Sequence, residues 1–171
     1  MSIAVCPGSF DPITLGHLDV IHRARSMFDE VVVGVARNSA KKALLDERER
    51  VDLARSALAG VAGVRVELVP GLLVDFSREV GACAVVKGLR GGADFDAELP
   101  MALLNRHLIG IETVFVIGDP ALAHIASSLV KDVARHGGEI DDLVPAGVAE
   151  AVRAAVRRQT GLEPTTEGDR R

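Results

Sequence analysis

The turns that follow the predicted strands collect cations, hydroxyl groups and glycines, and these residue types together bind anions. The first such turn contains Ser9 and Phe10 and ends in Thr14-Leu15-Gly16-His17, where a helix is predicted to begin. Backbone amides at a helix N-terminus, at the positive end of the helix dipole, attract phosphate groups. Gly16 leaves room for a phosphate and His17 adds a side-chain donor, which makes this turn a candidate phosphate site. A simpler interpretation, in which His17 only begins or caps the helix, is equally open from these residues alone.

A second concentration of charge follows the fourth predicted strand, in the sequence Lys87-Gly88-Leu89-Arg90. A lysine and an arginine at this spacing can hold two phosphate groups, the arginine as a bidentate fork and the lysine as a point charge. Lys41 and Lys42 lie just after the second predicted strand. For both pairs the alternative is a solvated surface position without a ligand.

The sequence Ile125-Ala126-Ser127-Ser128-Leu129-Val130-Lys131 predicts another helix start. Its two serine hydroxyls can either cap backbone amides or hold a phosphate. Lys131, one turn into the helix, could reach the same anion. An ordinary serine N-cap is the alternative interpretation.

These turns need a scaffold, and the apolar periodicity predicts one. Five short runs rich in β-branched residues predict buried strands, namely Ile3–Cys6, Val31–Ala36, Val64–Val69, Ala84–Lys87 and Thr113–Ile117. Strands that alternate with helices indicate a parallel sheet. We therefore expect an α/β, Rossmann-like fold with a five-stranded parallel sheet and helices on both faces. In such sheets, ligands bind at the carboxyl ends of the strands.

Amphipathic patterns predict six helices, at His17–Phe28, Asp46–Ala59, Leu72–Val80, Phe95–Leu108, Ser127–His136 and Pro145–Arg158. Pro100 is expected to kink the fourth helix or reset its start. Gly137 and Gly138 are expected to end the fifth helix, and Pro145 is expected near the first turn of the last.

Composition limits the class of protein. The chain has 171 residues, which suits a single domain over residues 1–158, with a disordered polar tail over 159–171. Trp and Tyr are absent and the net charge is −4, which disfavours nucleic-acid binding. No apolar run is long enough to span a membrane, Cys6 and Cys83 are expected to be buried free thiols, and we expect a cytoplasmic protein.

Three separated segments resemble a known family. The sequence from Pro7 to His17, PGSFDPITLGH, resembles the T/HxGH signature of the nucleotidyltransferase superfamily, and in its full length it resembles the start of bacterial phosphopantetheine adenylyltransferases. Lys87–Arg90 followed by Asp94-Phe95-Asp96-Ala97-Glu98 resembles a second hallmark of that family, which Asn105-Arg106-His107 continues. Ile125–Lys131 resembles the third motif. The resemblance extends from about Ile3 to Val144.

The resemblance implies a reaction between ATP and 4′-phosphopantetheine that gives dephospho-coenzyme A and pyrophosphate, the penultimate step of coenzyme A synthesis. A phosphate oxygen of phosphopantetheine would attack the α-phosphorus of ATP. Because the second pKa of a phosphate is about 6, that oxygen is already anionic and needs no general base. Mg²⁺ is expected to arrive with ATP, and no all-protein metal site is expected. The resemblance also implies a homohexamer and feedback binding of coenzyme A.

The same resemblance assigns roles to individual residues. The expected catalytic residues are His17, which stabilises the transition state at the α-phosphate, Lys41 and Arg90. The expected phosphopantetheine site consists of Ser9, Lys41, Leu73 and Lys87. The expected ATP site consists of Ser9, Phe10, His17, Gly88, Leu89, Arg90, Glu98, Leu122, Ala123, His124, Ile125, Ala126, Ser127 and Ser128.

The chain departs from the family pattern at five positions. Ala126 replaces the first serine of the third motif, and Leu122 and His124 stand where the family has aromatic residues. Ala97 and Pro100 replace a tyrosine and a glutamine. One neutral hydrogen bond contributes about 0.5–1.5 kcal/mol, so ATP affinity is expected to fall about tenfold without loss of activity.

Two alternatives stay open. The first is another member of the superfamily, such as a nicotinamide-mononucleotide adenylyltransferase or a cytidylyltransferase. The second is a non-catalytic sensor of nucleotide or coenzyme A, favoured only by the altered segment 122–126. A P-loop ATPase and a dinucleotide-binding dehydrogenase are disfavoured because neither GxxxxGK[ST] nor GxGxxG occurs in the sequence.

Overall fold

The computed structural model describes residues 1–37 and 42–161, and strands alternate with helices throughout this part of the chain. Five strands form one parallel sheet in the order β3-β2-β1-β4-β5. Their bounds are β1 Ile3–Gly8, β2 Glu30–Ala36, β3 Val64–Val69, β4 Ala84–Leu89 and β5 Glu112–Ile117. The predicted strands and the parallel α/β class are therefore confirmed. β1 and β4 each continue two residues further than expected.

In the described part of the chain, six α-helices connect and cover the strands. Their bounds are α1 Leu15–Met27, α2 Glu47–Ala57, α3 Leu73–Glu79, α4 Gly92–Ile109, α5 Ser127–Arg135 and α6 Val148–Thr160. A short 3₁₀ turn, Pro120–Leu122, follows β5. Among the described residues, no helix combines the length and the apolar character that crossing a membrane requires.

The two faces of the sheet bury different helices because side chains alternate along each strand. Ala4 and Cys6 of β1 join the larger core, which also contains apolar residues of α1, α2, α5 and α6. Val5 points to the opposite face and packs in a smaller cluster with Phe76 of α3. On that same face Phe95 of α4 contacts Phe115 of β5, with ring centroids 5.2 Å apart. Helices thus lie on both faces, as expected.

The largest differences in helix starts are in α4 and α6, where the observed start is three residues from the expected one. α4 begins at Gly92, three residues before the predicted Phe95, and Pro100 does not reset its start. An interior proline removes a single backbone donor, and the remaining bonds of this 18-residue helix continue on both sides of it. The expectation that Pro145 would lie near the first turn of α6 was wrong, because Gly147, with φ of 82°, ends the preceding turn and α6 begins at Val148.

The helix ends and the cysteines complete the comparison. α5 ends as expected, since Gly137 adopts a φ of 76° and donates its amide to the Ala134 carbonyl. α6 continues to Thr160, two residues into the predicted tail, and the rest of that tail from residue 162 lies outside the described residues. Cys6 is buried, but Cys83 is exposed, so its expected burial was wrong. Cys83 lies just before β4, at the amino edge of the sheet, where its thiol donates to the Ile3 carbonyl.

Gly88 is required where β4 passes closest to α1. A Cβ atom at this position would lie 2.4 Å from a methyl carbon of Val20. The β-branched Val20 side chain has little rotamer freedom in a helix, so any larger residue at Gly88 must displace α1. The turn after β4 is thereby held against the helix that carries His17.

We expect Gly88→Ala to lower the free energy of unfolding by about 1–3 kcal/mol, because the new methyl group overpacks the contact with Val20. Urea denaturation followed by circular dichroism measures this change. Gly92→Ala is the matched control, since a Cβ there meets no atom within 4 Å. Equal stability of the two variants would contradict the close approach of β4 and α1.

Candidate active site

A cleft of about 1620 Å³ opens at the carboxyl ends of the strands. Strand order reverses between β1 and β4, which pair directly, so the connections from these strands run to opposite sides and leave a crevice between them. The cleft is lined by most of the residues that the sequence predicted for the site, namely Ser9, Phe10, His17, Leu73, Lys87, Gly88, Leu89, Arg90, Glu98, Leu122, Ile125, Ala126, Ser127 and Ser128. Folding therefore brings together segments that are more than 100 residues apart in sequence.

Two of the predicted residues that the structure describes do not line the cleft. Ala123 and His124 do not line it, and the His124 side chain is exposed. Both belong to the turn after the 3₁₀ segment, in which the Ile125 amide bonds the Leu122 carbonyl, and this reversal carries them away from the cleft. Lys41 lies outside the described residues.

His17 both caps α1 and faces the cleft, so the two interpretations of this residue are compatible. Its Nδ1 atom accepts a hydrogen bond from the Thr14 backbone amide at 3.0 Å, and the Thr14 hydroxyl lies 3.1 Å away. A backbone amide can only donate, so Nδ1 carries no proton and the neutral ring bears its proton on Nε2. The ring therefore presents an Nε2–H donor.

The N-terminus of α1 offers fewer free amides than the sequence suggested. The Leu15 amide donates to the Leu143 carbonyl at 3.1 Å, and the His17 amide donates to the Thr14 hydroxyl at 3.3 Å. With the Thr14 amide bound to His17, only the Gly16 amide among the four unpaired donors of this helix start has no partner in the described part of the chain. An anion here would meet one amide and the histidine ring.

The electrostatic surroundings keep His17 neutral. Burial, followed by the positive charges of Arg90 and Lys87, lowers the pKa of His17 to about 4. The Phe10 ring packs edge-on against the imidazole, with ring centroids 5.0 Å apart. At neutral pH the site thus combines an uncharged imidazole donor with two nearby cationic side chains.

Each of these two cations is held by a carboxylate of α4. Lys87 Nζ lies 3.1 Å from the Glu98 carboxylate. Arg90 makes a two-pronged contact with Asp94, through Nε and Nη2 at 2.9 Å each, and its Nη1 donates to the Ile125 carbonyl at 3.4 Å. The sequence assigned Lys87 and Glu98 to opposite substrates, whereas the structure places them in direct contact.

Neither serine caps the start of α5, and their expected contact with a phosphate stays a prediction. Ala126, which has no polar side chain, is the N-cap residue. The Ser127 hydroxyl donates to the Pro12 carbonyl at 2.9 Å and so fastens α5 to the first turn. Lys131, expected to reach an anion at this helix start, instead contacts the Asp11 carboxylate at 2.7 Å. Ser128 stays exposed at the cleft.

Sequence reasoning missed three polar residues that are buried at the cleft. Asp11 accepts hydrogen bonds from the Leu44 and Leu45 amides. Arg50 donates to the carbonyl of Ser9 at 2.6 Å and to that of Ala36 at 2.8 Å, which ties together the ends of β1 and β2. Asn105 is a buried polar residue of α4 that lines the cleft. Asp11 and Asn105 lie within the segments that resemble the family, which was the available signal. Polar residue type by itself predicts exposure, and Arg50 carries no other local signal.

This fold and this site define a nucleotidyltransferase-like protein, and residues 5–133 match the cytidylyltransferase-like family. A solved structure assigned as a nicotinate-nucleotide adenylyltransferase from Vibrio parahaemolyticus shares the fold, with a TM-score of 0.62 at 18% identity over 95% of each chain. A lipopolysaccharide core biosynthesis protein from Thermoplasma volcanium superposes with a TM-score of 0.52 at 25% identity, over 70% of this chain and 98% of that one.

The chain belongs to the phosphopantetheine adenylyltransferase family. The phosphopantetheine adenylyltransferase of Bifidobacterium longum is 56% identical over 147 residues, which cover 85% of this chain and 89% of the relative. That of Streptomyces coelicolor is 52% identical over 159 residues, covering 93% of this chain and 100% of the relative. The family resemblance inferred from the sequence motifs is thereby confirmed.

The lowered pKa of His17 predicts a specific pH dependence of stability. Between pH 6.5 and about 4 the unfolded chain binds a proton at His17 that the folded chain does not bind, so acidification through this window favours unfolding. Relative to His17→Gln, the wild-type protein should lose about 3 kcal/mol of unfolding free energy between pH 7 and pH 4. Urea denaturation at a series of pH values measures this difference.

His22→Gln, at an exposed position of the same helix, controls for the general effect of removing a histidine. A constant difference between wild type and His17→Gln across the pH series would show that His17 is not held neutral by the fold.

Proposed function

We propose that this chain transfers an adenylyl group from ATP to 4′-phosphopantetheine, releasing pyrophosphate and forming dephospho-coenzyme A. The observation that carries the proposal is the neutral Nε2–H donor of His17, set at the strand-order reversal beside Lys87 and Arg90. Membership of the phosphopantetheine adenylyltransferase family supports the choice of substrates. A place in coenzyme A synthesis follows from the product.

The proposed reaction needs positioning and charge stabilisation rather than proton abstraction. A phosphate oxygen of phosphopantetheine attacks the α-phosphorus of ATP, and the bond from that phosphorus to the pyrophosphate oxygen breaks. Because the attacking phosphate is largely dianionic at neutral pH, no base has to remove a proton. His17 donates its Nε2–H to a non-bridging α-phosphate oxygen, where negative charge grows in the transition state. A neutral ring keeps this donor unchanged across the physiological pH range.

The carboxylates beside the cations hold them in place before substrates bind. Arg90 keeps its bidentate contact with Asp94 while its Nη1 points to the Ile125 carbonyl, which supports a role on the nucleotide side. Lys87 lies on Glu98, so a phosphate that binds Lys87 competes with that carboxylate. Such pairing fixes the orientation of long side chains at the cost of some affinity. Ser9 and Leu73 line the same cleft and would contact phosphopantetheine, and Lys41 remains assigned to its phosphate by resemblance.

Mg²⁺ enters the proposal as part of the nucleotide substrate. Among the described residues no group of three His, Cys, Asp or Glu side chains is arranged to hold a metal ion. Of the carboxylates that line the cleft, Asp11, Asp94 and Glu98 each contact a lysine or arginine. These donors fit an ion held mainly by phosphate oxygens and water.

The first experiment is a turnover assay with ATP, Mg²⁺ and 4′-phosphopantetheine, in which pyrophosphate and dephospho-coenzyme A are both measured. We expect turnover with phosphopantetheine and none with nicotinamide mononucleotide. His17→Ala should lower kcat by about 10²–10³-fold with little change in either KM, as is typical for loss of one transition-state donor. His22→Ala is the matched control, since His22 lies on α1 but is exposed.

Other outcomes separate the alternatives. Binding of ATP or coenzyme A without turnover would favour a sensor, and turnover of nicotinamide mononucleotide would favour another nucleotidyltransferase. If His17→Ala raised both KM values as much as it lowered kcat, His17 would serve ground-state binding instead. Feedback inhibition by coenzyme A stays a prediction, which the same assay tests when coenzyme A is added.

We also propose that the chain forms a cytoplasmic homo-oligomer, with a hexamer expected from the family. The support in the structure is a row of exposed apolar side chains on α4, of which Phe95 and Leu103 lie outside the cleft. The row consists of Phe95, Met101, Leu103, Leu104 and Leu108. Exposed apolar surface of this kind is typical of interfaces. The proposed cytoplasmic location is supported by the proposed substrates of the protein, ATP and a coenzyme A precursor.

Leu103→Glu should shift the protein toward smaller species, because a charge would be desolvated at the interface. Size-exclusion chromatography with light scattering measures the mass. Met27→Glu, at an exposed apolar position of α1, is the control. A monomeric wild-type protein would contradict the proposal.

A further inference from the structure

Asp11 joins three segments of the chain through one carboxylate. Its Oδ1 accepts from the Leu45 amide at 2.9 Å, and its Oδ2 accepts from the Leu44 amide at 3.0 Å and from Lys131 Nζ at 2.7 Å. Asp11 is 5% exposed. Burial acts to raise the pKa of Asp11, but the hydrogen bonds from Lys131, Leu45 and Leu44 outweigh it and the pKa is lowered. The carboxylate is therefore anionic at neutral pH, and both of its oxygens accept hydrogen bonds.

Each of the three segments that meet at Asp11 contains, or adjoins in sequence, residues proposed for the site. Leu44 and Leu45 belong to the connection between β2 and α2, which also contains Lys41, the residue proposed for the phosphopantetheine phosphate. Lys131 belongs to α5, whose first residues are proposed for the nucleotide side. Asp11 itself lies in the turn between β1 and His17. The Asp11 carboxylate thus links the acceptor side, the turn before His17 and the nucleotide side.

A second contact makes this link rigid. The Ser127 hydroxyl, one turn before Lys131 on α5, donates to the Pro12 carbonyl next to Asp11. Leu44 and Leu45 are 7% and 1% exposed, so the connection is anchored in the core where its amides reach the carboxylate. A buried ion pair gives little stability over an apolar pair of the same size. What it supplies here is a fixed geometry between three elements.

We propose that Asp11 and Lys131 are a positioning pair, which sets the distance between the acceptor phosphate and the α-phosphate of ATP. Lys131 acts through Asp11 and does not bind the nucleotide. This inference rests on the proposed adenylyl transfer. In-line transfer requires the reacting atoms to be aligned closely, and a displacement of about 1 Å can cost about 10²-fold in rate.

The test compares Lys131→Met, Lys131→Arg and wild type in the pyrophosphate assay. Lys131→Met should lower kcat by about 10–100-fold and leave the KM values for ATP and phosphopantetheine within about threefold. Lys131→Arg should recover most of the lost kcat, since the guanidinium can still contact Asp11. Arg135→Met, which removes an exposed cation from the same helix, should keep the wild-type kcat.

Asp11→Asn completes a double-mutant cycle. If the two residues act as one unit, Asp11→Asn with Lys131→Met should be no slower than Asp11→Asn alone, so their effects will not add. Circular dichroism and thermal unfolding confirm the fold of each variant. Should Asp11→Asn fail to fold, the Lys131 variants carry the test by themselves, because the Lys131 side chain lies at the edge of the cleft.

Two results would overturn the positioning pair while leaving the proposed function intact. A tenfold or larger rise in the KM for ATP with unchanged kcat would show that Lys131 binds the nucleotide. Wild-type kinetics for Lys131→Met would show that the pair only packs. A wild-type protein that binds both substrates but releases no pyrophosphate would overturn the function and this inference together.

Discussion

The direct pairing of β1 with β4 is the constraint on which the site depends. Because these neighbouring strands send their connections in opposite directions, a crevice opens at their carboxyl ends. The same pairing brings Gly88 against Val20, so the turn after β4 lies on the helix that carries His17. A change in strand order would separate His17 from Lys87 and Arg90 without altering any of these residues.

Carboxylates hold the cations around this crevice in a fixed orientation and offset part of their charge. Burial, together with the charges of Arg90 and Lys87, lowers the pKa of His17. These two cations are themselves held by Asp94 and Glu98. The result is a neutral imidazole donor beside two cationic side chains, an arrangement that suits a reaction in which both substrates are anions. The nucleophile brings its own charge, so the protein supplies placement rather than a base.

Sequence patterns predicted much of this arrangement but did not predict which side chains contact each other. Periodicity located all five strands, and the glycine-rich and cationic turns located His17, Lys87 and Arg90. What the patterns did not show are the partners of these side chains: Lys131 contacts Asp11, and Lys87 contacts Glu98. Which donor meets which acceptor depends on residues that are distant in sequence, and a local pattern carries no record of them.

The sequence by itself determined the fold class, the order of the elements and the family, because apolar periodicity and short motifs are local properties of the chain. Only the tertiary structure decided the protonated nitrogen of His17, the burial of Asp11, Arg50 and Asn105, and the turning away of His124. Each of these depends on atoms brought together from different strands and helices. Burial and hydrogen bonding are set by that assembly. A side chain loses water and meets its hydrogen-bond partner only when the strands and helices around the crevice have packed together.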